Sequence, residues 1–453
     1  MAGVAPRAPA FAIHILAVIG VSGAACVAAA ASWVEEYPEL GARTNEACKA
    51  GQLAQCRSGL ERLLSMLDGR PDIECRLARA TASLGDNGAA LRHLKICAAS
   101  GLEIADPMSD PAFRSLRTRS PFVAVERTYR RFLRPAGGFE RRFELNDASL
   151  VAEDISYDPA DGSLLISSVR ARKIVRLARS GAVSDAWRPE RPDTWGVFAV
   201  VLDRERNTLW ATTSAGAESP PFDAADRGRS ALLKLDARSY SVVARYELDT
   251  PGPHGFGDMT LGERGEIYVS DGFGGGVYTP DDELRPHLRA VVPPGQLRSP
   301  QTPALVAGRG QLLVPDYSRG IAVVELSGGA LRWLAHPPEL ALHGIDGMYL
   351  RGRTLIAIQN GTTPERVLVM RLDAGCSRID SWRVALARAP GLGDPTHGVF
   401  VDDRFVFLAD SGWDRMSDDG TLSAGPGDRP PAVWELTLRA GEGDPHVRCG
   451  ARE

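Results

Sequence analysis

Several features that would assign a function directly are missing from this sequence. No two of its seven cysteines stand in a Cys-x-x-Cys pair, which excludes the common zinc-ribbon and dithiol redox motifs. No Gly-x-Ser-x-Gly pentapeptide occurs, which argues against an α/β-hydrolase. The net charge is −4 and the arginines are scattered, so there is no electrostatic case for nucleic-acid binding. The chain of 453 residues is too long for one ordinary core, and two domains are therefore expected.

The N-terminal segment has the pattern of a secretory signal peptide. A basic residue, Arg7, precedes the apolar stretch 8–21, and small residues follow at 28–32. We therefore predict a signal peptide over residues 1–31 and a periplasmic or secreted protein. Two alternatives stay open, an uncleaved membrane anchor and lipidation of Cys26. No later apolar stretch of the sequence is long enough to form a transmembrane segment.

Residues 38–132 carry apolar side chains at helical spacing, interrupted by short glycine- and proline-containing turns. The predicted helices cover 45–49, 52–67, 72–84 and 89–99. Segments 85–94 and 106–122 resemble the turn and the closing portion of tetratricopeptide repeats. That resemblance implies a small helical module that binds a protein partner. The alternative is a module that only packs as a cap on the second domain.

The cysteines that remain after residues 1–31 are even in number, which favours disulfide bonds in an exported chain. Their positions on the predicted helices indicate two bonds inside the helical module, and the last two cysteines are left to pair with each other. The expected pairs are Cys48–Cys56, Cys75–Cys97 and Cys376–Cys449. A disulfide in so small a module should stabilise it by about 2–4 kcal/mol.

After a proline- and glycine-rich linker at 133–138, the sequence changes to short strands separated by Gly, Asp and Asn turns. Six similar units follow, and their inner strands begin 42 to 63 residues apart, which suits four-stranded propeller blades. The sequence therefore predicts a mainly β fold, a six-bladed β-propeller over residues 139–445 after a small α-helical domain. Segment 139–145 should complete the sixth blade as its outer strand and so close the ring.

Polar residues stand at or just before the start of these inner strands, where a propeller lines one end of its central channel. Oxygen ligands suit Ca²⁺, and imidazole nitrogens admit Mn²⁺ or Zn²⁺. The alternative is that the acids cap backbone N–H groups at the strand ends. The residues expected to converge are Glu153, His254, Asp258, Gln301, His343, Asp346 and His397.

The six-unit pattern resembles the family of regucalcin and the gluconolactonases. The match rests on Glu153 in the first unit and on Asp346-Gly347-Met348, which corresponds to the Asp-Gly-Met/Leu of a later blade in that family. The resemblance implies one axial divalent cation, with Ca²⁺ as the first expectation and Mn²⁺ or Zn²⁺ as alternatives. Its ligands would be Glu153, Gln301 and Asp346, although Gln301 stands where the family has Asn.

The same resemblance implies hydrolysis of a small lactone or ester by metal-activated water. Asp258 or Asp346 would serve as the general base, and His254, His343 or His397 would position the substrate.

A function of a different class is a non-catalytic scaffold that binds a ligand or a protein. The helical module favours this scaffold, because simple lactonases do not need one. The axial acids and histidines favour the enzyme.

Overall fold

The computed structural model describes residues 32–450 except 68, 104–105, 251, 283–285, 424 and 426–427. The chain divides between Tyr129 and Arg130 into two compact units, the first helical and the second mainly β. The predicted signal peptide lies outside the described residues. None of the helices in the described part of the chain combines the length and the apolar character that a membrane span requires.

The N-terminal region folds into helices that pack as successive pairs, α1 on α2 and α3 on α4. The α-helices described there are α1 (Trp33–Lys49), α2 (Leu53–Leu67), α3 (Pro71–Ser83), α4 (Asn87–Ala99) and α5 (Ser120–Phe132). The first helix starts well before the predicted residue 45 and continues through Pro38. Its early residues Trp33, Tyr37 and Leu40 pack on the buried cluster of the module, so packing outweighs the cost of the proline. The likeness to tetratricopeptide repeats stays a prediction.

All three predicted disulfides are present, Cys48–Cys56, Cys75–Cys97 and Cys376–Cys449. The first two lie in the helical unit and the third in the β unit. Disulfides are typical of chains that fold in an oxidising compartment.

The second unit is a six-bladed β-propeller, as predicted. Short strands β1 (Ala136–Gly137) and β2 (Phe139–Glu144) come first. Blades one to three are β3 (Ala152–Asp158), β4 (Ser163–Ser168), β5 (Lys173–Leu177), β6 (Val183–Trp187); β7 (Gly196–Asp203), β8 (Thr208–Ser214), β9 (Ser230–Asp236), β10 (Val242–Tyr246); and β11 (Phe256–Leu261), β12 (Ile267–Asp271), β13 (Gly276–Asp281), β14 (His287–Val292). Blades four to six are β15 (Ala304–Val306), β16 (Gln311–Asp316), β17 (Gly320–Glu325), β18 (Leu331–Trp333); β19 (Met348–Arg351), β20 (Thr354–Gln359), β21 (Arg366–Leu372), β22 (Ile379–Ala387); and β23 (Gly398–Val401), β24 (Arg404–Ala409), β25 (Ala432–Leu436).

The ring closes between the two ends of the propeller sequence. Strand β2 pairs with β25 and completes blade six as its outer strand, which confirms the predicted closure. The segment predicted as a linker contains β1, which pairs with β22 and adds a fifth strand to blade five. Both pairings cover strand edges that would otherwise be open.

The second strand of each blade is an apolar run because both of its faces are covered by neighbouring blades. Every residue of β20, Thr354–Gln359, is buried, for example. One buried cluster joins Leu165 and Ile174 of blade one to Val197 and Leu209 of blade two. Packing between blades therefore fixes where the inner strands start, and with them the residues at the propeller mouth.

Candidate functional site

The loop that carries Asp346 is shaped by two glycines that touch each other. Gly344 has a φ of +69°, and a Cβ on it would lie 2.7 Å from the carbonyl carbon of Gly361. This close approach brings the loop before β19 against the turn after β20, where the Asp346 N–H donates to the carbonyl of Ile358 at 3.0 Å. Nδ2 of Asn360 then donates to Oδ2 of Asp346 at 2.7 Å. The glycine-rich stretch thus fixes the position of the Asp346 carboxylate, which is hydrogen-bonded to Asn360.

Glu153 lies in a bulge of β3, where the pairing with β4 changes register between Ala152 and Ile155. Asp154 holds the bulge through its two oxygens, which accept from the backbone N–H groups of Ile155 and Val200, each at 2.8 Å. Bulges often re-aim a side chain next to a functional site. Asp154 is therefore structural, and Glu153 is the residue that the bulge presents.

His397 connects several blades. Its Nδ1 donates to the backbone carbonyl of Glu153 at 2.8 Å, and its Nε2 lies 2.6 Å from Oδ1 of Asp258. The same Oδ1 accepts from Oγ1 of Thr302 at 2.6 Å. Because Nδ1 faces a carbonyl, it must carry a proton, and Nε2 is the nitrogen whose role depends on its surroundings.

Three side chains of this group can hold a metal ion. One donor atom from each of Glu153, Asp346 and His397 lies within 4.8 Å of the other two, and all three residues are buried. Glu153 also accepts a short hydrogen bond from Nε1 of Trp413. Two carboxylates and an imidazole are donors that Mn²⁺ and Zn²⁺ accept, and the carboxylates also suit Ca²⁺.

Burial dominates the titration of these groups. It raises the pKa of Glu153 well above its ordinary value, and the charge of Asp346 adds to this effect. Burial likewise raises the pKa of Asp346 to about 6, against the opposing influence of His397. For His397, burial lowers the pKa, but the charges of Asp258 and Asp346 outweigh it and raise that pKa well above the ordinary value. A protonated His397 is thus the nearby counter-charge for the carboxylates.

A second acidic group adjoins the first. Burial and the neighbouring Asp394 raise the pKa of Glu365 to about 9, and burial and Asp346 raise the pKa of Asp394 to about 8. Tyr317 donates its hydroxyl to Oδ1 of Asn360 at 3.1 Å, and burial raises its pKa well above the usual range. The raised pKa values keep both carboxyl groups largely protonated, and therefore uncharged, at neutral pH.

Comparisons with known proteins add the fold and little else. No family model matches the chain, and no curated protein sequence is similar to it. Many solved structures resemble the fold of this chain, and three of them serve as examples. A putative oxidoreductase (glucose dehydrogenase) from Thermus thermophilus is 18% identical, with a TM-score of 0.45 over 66% of this chain and 99% of that one. Virginiamycin B lyase from Staphylococcus aureus is 12% identical, with a TM-score of 0.41 over 67% and 99%. A luciferin-regenerating enzyme is 12% identical, with a TM-score of 0.47 over 70% and 99%. At these values the likeness says nothing about the activity of this chain.

The structure brings Glu153, Asp258, Asp346 and His397 together, whereas two other predicted residues make local contacts. Nδ1 of His254 lies 2.6 Å from Oδ2 of Asp271, and its Nε2 lies 3.1 Å from the carbonyl of Thr250. The amide of Gln301 donates to the carbonyl and hydroxyl oxygens of Ser299, at 3.2 and 3.0 Å. Their roles in substrate positioning and metal binding stay predictions.

His343 is buried in the loop that leads to Asp346, and its carbonyl accepts from the Gln359 amide at 2.5 Å. Its role in substrate positioning also stays a prediction.

Sequence reasoning missed Asn360, Thr302 and Trp413. Asn360 has a signal in the sequence, because the end of β20 and the start of β19 lie at the same end of one hairpin, where Met348 pairs with Ala357. Trp413 has none, since its partner is 260 positions away in the chain.

Proposed function

We propose that the propeller axis holds one divalent cation and that the protein is a metal-dependent hydrolase of lactones or esters. The observation that carries the proposal is the buried group of Glu153, Asp346 and His397, whose donor atoms lie within 4.8 Å of one another. A buried acidic group of this kind is costly without positive charge beside it.

The residues present fit such an ion. Burial raises the pKa of both Glu153 and Asp346, so their charged forms need compensation. The bond from Nδ1 of His397 to a backbone carbonyl is the arrangement usual for ligand histidines, and Nε2 would bind the metal in place of its contact with Asp258. A bound divalent cation would polarise an ester carbonyl and lower the pKa of a water molecule.

The surrounding side chains supply the proton chemistry. Oδ1 of Asp258, which lies 2.6 Å from both Nε2 of His397 and Oγ1 of Thr302, would serve as the general base. Asp346 is the alternative base, with Asn360 holding one of its oxygens. With pKa values raised to about 9 and 8, the half-buried acids Glu365 and Asp394 would be largely protonated at neutral pH and could donate hydrogen bonds to a neutral lactone or ester.

The second candidate function is a ligand-binding or scaffold protein without turnover. One specific observation favours it: both ring nitrogens of His397 are already hydrogen-bonded, so the network is satisfied without a metal. Under this alternative the helical unit would dock a protein partner. Export through the N-terminal segment is part of both proposals.

Calorimetric titration of the metal-stripped protein with Mn²⁺, Zn²⁺ and Ca²⁺ separates the two functions. We expect one ion to bind, and Asp346→Ala and Glu153→Gln to abolish binding together with hydrolysis in a panel of lactones and esters. Asp316→Asn is the matched control, because Asp316 is also buried but accepts from the backbone N–H groups of Arg298 and Ser318. If the wild-type protein binds no ion, the hydrolase proposal is wrong and the scaffold is favoured.

A further inference from the structure

The two carboxylates of the candidate metal group, those of Glu153 and Asp346, each have one oxygen hydrogen-bonded to an uncharged donor. Nε1 of Trp413 donates to Oε2 of Glu153. Nδ2 of Asn360 donates to Oδ2 of Asp346 at 2.7 Å. In both cases the second oxygen is the one left for a ligand.

The position of Trp413 is itself held from several sides. It begins a short 3₁₀ turn, Trp413–Arg415, that follows Gly412 with a φ of +98°. Nη2 of Arg415 donates to the carbonyl of Ala148 at 2.5 Å, which ties this turn to the segment before β3. The indole ring lies 6.4 Å from the ring of Phe198, centroid to centroid. The donor to Glu153 is therefore built into the propeller.

Asn360 is oriented in a similar way. Its Oδ1 accepts from the hydroxyl of Tyr317 at 3.1 Å, and its Nδ2 faces the carboxylate of Asp346. A rotated amide would place its oxygen against a carboxylate oxygen, whereas the Tyr317 hydroxyl can either donate or accept. The contact is thus a donation to Asp346, and its direction is fixed by the carboxylate.

These contacts bear on which cation the site accepts. Ca²⁺ takes six to eight oxygen ligands and commonly uses both oxygens of a carboxylate. Mn²⁺ and Zn²⁺ accept imidazole nitrogen and are satisfied by fewer donors. A group that offers single carboxylate oxygens and the imidazole of His397 matches the second class better.

We infer that Trp413 and Asn360 are positioning residues that each restrain one oxygen of a ligand carboxylate, and that they bias the axial site toward an imidazole-accepting cation such as Mn²⁺ and against Ca²⁺. The inference rests on the cation site of the proposed function. It reverses the first expectation from the family resemblance, in which Ca²⁺ led.

Calorimetry with Mn²⁺ and Ca²⁺ on the full chain, metal-stripped, measures this bias as the ratio of two dissociation constants. We expect the wild-type protein to bind Mn²⁺ at least tenfold more tightly than Ca²⁺. Trp413→Phe keeps the ring and removes the N–H, and Asn360→Leu keeps the volume and removes the amide. Each should reduce the ratio by threefold or more, mainly through tighter Ca²⁺ binding. Trp382→Phe is the matched control, since Trp382 lies in β22, three strands away from the inner strand β19 of its blade, and it should leave the ratio unchanged.

A general loss of stability would weaken the binding of both ions equally and would leave the ratio of their dissociation constants unchanged. An unchanged ratio in both variants, when they are folded, therefore overturns the inference. Tighter binding of Ca²⁺ than of Mn²⁺ by the wild-type protein also overturns it. Failure of the proposed function gives a different result from failure of the selectivity inference alone. In that case the wild-type protein binds neither Mn²⁺ nor Ca²⁺, and the selectivity inference is wrong as well.

A second measurement reports the positioning contact without any metal. The indole N–H resonance of Trp413, identified by its loss in Trp413→Phe, should lie downfield of the other indoles and should move in Glu153→Ala. An unmoved resonance would show that Trp413 does not position Glu153.

Discussion

The propeller contains two histidine–aspartate pairs with the same separation and different surroundings. His397 and Asp258 lie 2.6 Å apart at the inner strands, and His254 and Asp271 lie 2.6 Å apart beside the turn after β12. The other carboxylate oxygen of Asp271, Oδ1, accepts hydrogen bonds from the backbone. The donors are the N–H groups of residues 255 and 274, each at 2.8 Å, and of residue 273 at 3.2 Å. The Oδ1 of Asp258 instead accepts from a side-chain hydroxyl, that of Thr302.

The difference shows that the same histidine–aspartate separation occurs in two different environments. Around His254, the aspartate charge is spread over backbone donors and the pair stabilises a turn. Around His397, the buried carboxyl groups of Glu153 and Asp346 lie close to the imidazole, and burial raises the pKa of both. Perturbed groups that crowd together in this way are typical of functional sites.

The largest difference between the two pairs is expected when the aspartate of each pair is replaced. Asp258→Asn removes a negative charge 2.6 Å from Nε2 of His397, the nitrogen proposed to bind the metal, and should weaken Mn²⁺ binding by about 10- to 100-fold. Asp271→Asn should leave the affinity within about twofold, because it touches neither Glu153 nor Asp346. Calorimetry on both variants, with folding checked by circular dichroism, makes the measurement. Equal losses in the two variants would mean that the pairs are not different in kind.

The six-bladed propeller and several residues at the start of its inner strands could be predicted from the sequence, because the pattern of each blade is local and repeats. Glu153, Asp346 and His397 were found from their positions relative to the inner strands, and the three come together in the structure. His254 occupies an equivalent loop, but Asp271 from the same blade pairs with it at short range. A repeat pattern locates a loop and does not say which of two nearby acids its histidine will meet.

Contacts between distant segments were beyond such reasoning. Trp413 reaches Glu153 only because the last blade closes beside the first, and that contact depends on the turn at Gly412 and on Arg415. No spacing in the sequence encodes it.

A second prediction concerns the stability of the fold, for which Asp271 is expected to be the important aspartate of the two. Asp271→Ala leaves backbone N–H donors near residues 255, 273 and 274 without their acceptor and should lower the free energy of unfolding by about 2–4 kcal/mol. Cation affinity should not change. Urea unfolding measures the loss, and a value below about 1 kcal/mol would contradict the structural role of this pair.

A third, smaller effect depends on pH. The hydrogen bond to Asp271 raises the pKa of His254 in the folded state. A raised histidine pKa contributes stability that is fully present below the unfolded value, about 6.5, and is lost as the pH rises through the folded value. His254→Gln should therefore lower the free energy of unfolding by about 1–3 kcal/mol at pH 6 and by less at pH 9. An equal loss at both pH values would show that the charge of His254 does not matter.

The smallest expected effect concerns the two threonine hydroxyls that lie beside the histidine–aspartate pairs. Oγ1 of Thr302 is buried and donates to Asp258 at 2.6 Å, whereas Oγ1 of Thr250 lies 3.3 Å from Nε2 of His254 on an exposed residue. Thr302→Val keeps the shape and removes a buried donor, so the free energy of unfolding should fall by about 0.5–1.5 kcal/mol. Thr250→Val should change it by no more than about 0.5 kcal/mol, since water replaces the exposed contact. Thermal unfolding of the two valine variants compares them directly. If Thr250→Val costs as much as Thr302→Val, burial is not what distinguishes the axial pair from the pair in the turn.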